Sequence, residues 1–139
     1  MKRKKNKKVI VILDDNKRDP VVGELENLCT NGEYDIFSFY DAREFVETIT
    51  EMHLAGNPLR YHVAIIDLNC AEKEYGSRFS MGGKEIIDKL KKMYPNRKVI
   101  CRSNYGHENY VPHTKADRVI IKNGYSAEKI LQLVEELTV

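Results

Sequence analysis

Seven residues, Val63-Ala64-Ile65-Ile66-Asp67-Leu68-Asn69, restrict the choice of fold more than any other stretch of the chain. A run of apolar, mostly β-branched residues without polar alternation suits a strand buried on both faces, and such strands belong to parallel sheets covered by helices. The run stops on a carboxylate, so Asp67 falls at the carboxyl end of its strand. A second run, Val9 to Leu13, ends the same way on Asp14 and Asp15. In open α/β sheets the carboxyl ends of the strands border the crevice where ligands bind. Three carboxylates delivered to one edge repel one another and require an opposing charge, which fits a hard cation or phosphate chemistry.

The rest of the chain alternates strand and helix. Asp19-Pro20 supplies an N-cap and a first-turn proline, Val21, Val22, Leu25, Leu28 and Cys29 follow at helical spacing, and Asn31-Gly32 ends the helix. Tyr34 to Tyr40 reads as a second strand. Asp41 with Glu44 resembles a capping box, ahead of a helix faced by Phe45, Val46, Ile49 and Met52 that stops near Gly56. After the strand carrying Asp67, a third helix is expected from Gly83 to Tyr94, with Ile86, Ile87, Leu90 and Met93 as its core stripe and Pro95 behind it. Lys98 to Arg102 is a fourth strand. Residues 104–117 contain Gly106 and Pro112 and no clear apolar stripe, so a fourth helix there is short or broken. Arg118 to Ile121 is a fifth strand, and Ser126 caps a last helix faced by Ile130, Leu133, Val134 and Leu137. Five strands and about five helices predict a flavodoxin-like, doubly wound parallel sheet in the order 2-1-3-4-5, with helices on both faces.

Length and composition agree with one domain. A chain of 139 residues with 42% hydrophobic and 32% charged residues can bury a core without staples. Six of the first eight residues are basic, and residues 1–8 read as a solvated, disordered tail ahead of a domain at 9–139. Without those six, acidic residues outnumber basic ones by four, which argues against a nucleic-acid-binding domain. The apolar run after the tail is too short for a signal peptide or a membrane span, and a cytoplasmic protein is expected. Cys29, Cys70 and Cys101 are odd in number and widely spaced, suggesting neither a disulfide framework nor a zinc site; Cys29 and Cys101 read as core thiols. His107 and His113 lack metal-ligand spacing.

Ser103 follows the fourth strand and Lys122 the fifth, so the sheet order brings Asp14, Asp15, Asp67, Ser103 and Lys122 to one edge. These residues in this order, with Met81-Gly82-Gly83 opening a helix, resemble the receiver domain of two-component response regulators, the CheY-like family. The resemblance covers nearly the whole chain after the tail. It implies a single-domain phosphoacceptor rather than an enzyme that turns over substrate, phosphorylated on Asp67 by a sensor histidine kinase or a histidine phosphotransfer protein. It further implies Mg²⁺ (or Mn²⁺) at Asp14, Asp15, Asp67 and the backbone carbonyl of Asn69, with Ser103 and Lys122 binding the phosphoryl group. The output would be a change of protein contacts or onward phosphotransfer.

The chain departs from the family pattern at several points. Asn69 to Ser80 is longer than the usual loop by about eight residues and lacks its proline, a feature of a lid, a partner contact or a tolerated insertion. Asn123 stands where the family has proline after the lysine, so Lys122 has to be held without a cis-proline peptide. Val119 occupies the aromatic switch position, so the family's coupling between hydroxyl and ring is missing in its usual form. Tyr105, two residues past Ser103, is placed to overhang the phosphoryl site and slow its hydrolysis. Two other classes share parts of this pattern. A receiver-like interaction module independent of phosphate fits the altered switch. A haloacid-dehalogenase-type phosphatase needs an Asp-x-Asp pattern that Asp14-Asp15-Asn16 lacks. Gly82-Gly83-Lys84 does not complete a P-loop.

Overall fold

A computed structural model of the chain describes residues 7–68, 82–103 and 115–139. Its five strands are β1 (Lys8–Leu13), β2 (Tyr34–Phe39), β3 (Val63–Asp67), β4 (Lys98–Ser103) and β5 (Arg118–Ile121). All neighbours pair in parallel, in the order β2-β1-β3-β4-β5. This is the expected doubly wound sheet. Four helices are described: α1 (Pro20–Leu28), α2 (Ala42–Leu54), α3 (Gly83–Met93) and α4 (Ala127–Leu137). The short or broken helix expected before β5 falls almost wholly outside the described residues, as do the long loop 69–80, Cys70 and both loop histidines.

The local signals explain where the helices begin and end. Asp19 caps α1 by accepting from the Val21 and Val22 amides at 2.9 and 3.2 Å, with Pro20 in the first turn. A 3₁₀ turn, Cys29–Asn31, extends α1 to Gly32. Asp41 caps α2 through the Arg43 amide at 2.9 Å, and Ser126 caps α4 through the Lys129 amide at 3.3 Å. Gly32 and Gly56 take φ of 93° and 74°, conformations that side chains with a Cβ resist.

Strand periodicity divides the core in two. Ile10, Ile12, Val63, Ile65, Ile100 and Ile120 pack against α1 and α4, through residues such as Leu25, Ile130 and Val134. The alternate residues, including Val11, Leu13, Ala64, Ile66 and Cys101, meet Phe45 of α2 and Ile86, Ile87 and Leu90 of α3. Every residue of β3 is buried, as an apolar run at the sheet's centre requires. At the amino edge of the sheet, Glu135 of α4 accepts from Lys8 at 2.8 Å and from the Tyr34 hydroxyl, tying the last helix to β1 and β2. Among the described residues, no helix is long and apolar enough to cross a membrane.

Cys29 and Cys101 are core thiols, as their apolar settings suggested, and burial pushes both pKa values up, Cys101 to about 12. Because the thiolate is the reactive form, both should resist iodoacetamide in the native protein at pH 8, by on the order of a hundredfold relative to the urea-unfolded chain. Peptide mapping after timed alkylation checks this; rapid native labelling of Cys101 would contradict its burial.

Candidate functional site

Parallel pairing puts every strand's carboxyl end on one edge, and the register decides which side chains meet there. Leu13 lies opposite Ile66, Asp67 opposite Arg102 and Ser103 opposite Ile121. One step beyond the first and last of these pairs, Asp14 adjoins Asp67 and Lys122 adjoins β4. Asp14, Asp67, Arg102 and Lys122 continue the alternation of Ile12, Ile65, Ile100 and Ile120, so all four leave the sheet above the core shared with α1 and α4. Ser103 continues the opposite alternation, behind Cys101.

The carboxylates are held deep. Asp14 is 1% exposed and Asp67 2%, while Asp15 is half-buried. One oxygen from each lies within 4.8 Å of the others. Lys122 lies between two of them, its Nζ 3.1 Å from an oxygen of Asp14 and 3.1 Å from one of Asp67. Burial works against the Lys122 ammonium, but the charges of Asp67 and Asp14 outweigh it and raise its pKa. Asp14 has its pKa raised as well, chiefly by burial and further by Asp67, despite the lysine and the Asn16 amide that donate to it. Asp14 and Lys122 are thus both biased toward their protonated forms, the acid mainly by burial and the ammonium by the two carboxylates beside it. Three hard oxygen donors at this spacing fit a divalent cation with oxygen ligands at about 2.1 Å.

Lys122 keeps its place with Asn123, not proline, after it. Its amide donates to the Ser103 carbonyl at 2.8 Å, and the Gly124 amide returns to Ile121 at 3.1 Å to close the turn. Ser103 is itself 1% exposed. Val119 is half-buried and packs with the core on the α2 and α3 side. Asn69 and Tyr105 lie outside the described residues.

Sequence reasoning missed Arg102 and half of Asp19. Arg102 is 2% exposed in β4. Its Nη1 donates to Asp14 at 3.1 Å and to Asp19 at 3.2 Å, and its Nη2 donates to the other Asp19 oxygen at 3.2 Å. Asp19 therefore caps α1 and pairs with the guanidinium at once, and Arg102 outweighs burial to hold the Asp19 pKa down. The signal was an arginine directly after the apolar run Val99–Cys101 and still within the expected fourth strand, since a charge in a central strand must find a partner.

No protein-family model and no curated protein matches the chain. Solved structures do. The CheY-like response regulator receiver domain protein of Methanospirillum hungatei superposes with a TM-score of 0.68 at 20% identity, over 94% of this chain and 93% of that one. The Francisella response regulator 1452 receiver domain gives 0.71 at 18%, over 94% and 96%. The response regulator TrrA of Thermotoga maritima, solved with Mg²⁺-BeF, gives 0.65 at 19%, over 94% and 98%. The fold is that of CheY-like receiver domains, and it extends over nearly the whole chain.

Proposed function

We propose that residues 9–139 form the phosphoacceptor receiver domain of a two-component phosphorelay, with Asp67 as acceptor. The observation that carries this reading is the Lys122 ammonium, bridging Asp14 and Asp67 at the carboxyl edge of a receiver-type sheet. A carboxylate oxygen of Asp67 attacks the phosphorus of a phosphohistidine on a sensor kinase or phosphotransfer protein. The new O–P bond forms as the P–N bond breaks, and the departing imidazole takes up a proton. Lys122 turns from Asp67 to a phosphoryl oxygen as a point charge, and the Ser103 hydroxyl donates to another. Asp14, Asp15, Asp67 and the Asn69 carbonyl would hold Mg²⁺ or Mn²⁺, which when bound offsets the repulsion between the carboxylates and the incoming phosphate. The Mg²⁺-BeF complex of TrrA, on the same fold, supports a cation in this pocket. Tyr105, two residues after Ser103 in the sequence, would exclude water from the phosphoryl group. With valine at position 119, output does not run through an aromatic switch there, and it takes the form of altered protein contacts or onward phosphotransfer in the cytoplasm.

Intact mass after treatment with acetyl phosphate tests the reading. A gain of one phosphoryl group that requires Mg²⁺ and disappears in Asp67→Asn is expected. A folded protein that gains nothing from acetyl phosphate or from a phosphohistidine donor would overturn it, in favour of an interaction module independent of phosphate.

A further inference from the structure

We propose that Arg102 is an internal counter-ion that competes with a divalent cation for Asp14 and thereby sets the pocket's affinity for that cation. The inference rests on the reading of the carboxylate pocket as a cation site. A carboxylate offers about four lone-pair positions. At Asp14 three of these are already taken: Arg102 and Lys122 both reach Oδ2 at 3.1 Å, and the Asn16 amide reaches Oδ1 at 2.9 Å.

Of the two cations on Asp14, only Lys122 has a second partner among the three clustered carboxylates. Arg102 is anchored from behind, by both oxygens of Asp19 at the start of α1. Its side chain is 2% exposed, its Nε is buried with no hydrogen-bond partner among the described residues, and a planar guanidinium cannot lose its proton. The positive charge therefore stays beside Asp14 whether or not an ion is bound. An entering divalent cation meets a fixed like charge and a carboxylate already turned toward it. The ion has to rely on Asp15 and Asp67, with Asp14 contributing least.

Removing the guanidinium charge should tighten cation binding, the reverse of what deleting a ligand does. Free Mn²⁺ can be followed by electron paramagnetic resonance while it is titrated into the whole chain, wild type and Arg102→Met, with circular dichroism to confirm folding. The variant is expected to bind Mn²⁺ at least tenfold more tightly. Arg102→Gln, which removes the charge and keeps a polar amide at the position, should shift affinity the same way and serves if the methionine variant does not fold. Equal or weaker binding by a folded variant overturns this inference and leaves the phosphoacceptor reading standing. Absence of saturable binding in wild type and both variants overturns the cation site itself, and with it both readings.

Discussion

Replacing Lys122 with methionine is expected to destabilise the protein by about 3–5 kcal/mol at pH 8, the usual result of removing one partner from a buried ion pair. Methionine fills much of the same volume, so lost packing contributes little, and the loss comes from charge. Asp67 and Asp14 would face one another, each almost fully buried, with Arg102 reaching Asp14 and Lys122 no longer reaching either. A proton can take over the role of the missing ammonium. The Asp14 pKa is already raised in the native protein, so the folded chain binds that proton more tightly than the unfolded one. Stability tied to such a group falls as pH rises from the unfolded value of 3.8 through the raised folded value. The deficit of Lys122→Met should accordingly shrink between pH 8 and pH 5. Urea denaturation of both proteins at the two pH values measures this, and a pH-independent loss below about 1 kcal/mol would show the pair to be solvated.

Two glycine-to-alanine changes should move stability in opposite directions. A Cβ on Gly83, the first residue of α3, would lie 2.4 Å from the Leu68 carbonyl oxygen, 2.6 Å from that of Asp67 and 2.6 Å from the Leu68 Cα. These are backbone atoms at the end of β3, with no side-chain freedom to yield. Alanine normally gains up to about 1 kcal/mol over glycine within a helix. At Gly83 the clash outweighs that gain, and a net loss of about 1–3 kcal/mol is expected, as for other overpacked sites. At Gly23, within α1, nothing lies within 4 Å of the corresponding Cβ, and alanine should stabilise by about 0.4–1 kcal/mol. Thermal denaturation of the two variants decides the matter; a Gly83→Ala protein as stable as wild type would mean that the end of β3 moves freely. If it moves only under strain, Gly83→Ala also displaces the main chain of the residue proposed as phosphoacceptor.

Much of the architecture was legible because it depends on local pattern. Apolar runs ending at Leu13 and Asp67 can be buried in few ways, and Asp19, Asp41 and Ser126 mark helix starts by chemistry that acts over two or three residues. The meeting of Asp14, Asp67 and Lys122 followed from strand order alone, once all strands were taken as parallel. Boundaries slipped by a residue where pairing outlasts the apolar pattern: Lys8 and Ser103 are polar, yet each pairs with its neighbour across the sheet. The Arg102 network was not legible for a different reason. Its contacts span 83 and 88 residues and depend on the register of β4 against β3 and on where α1 begins, neither of which a single sequence states. Asp19 shows the limit clearly, since a residue read correctly as a cap gives no sign of a second duty.

The clasp of Lys8, Tyr34 and Glu135 bears on how the molecule can be handled. It brings the start of β1 and the end of α4 within a single ion pair of each other, on the edge of the sheet opposite Asp67. A tether, a fluorophore or a surface attachment at either Lys8 or the last turn of α4 would point away from the carboxylate pocket.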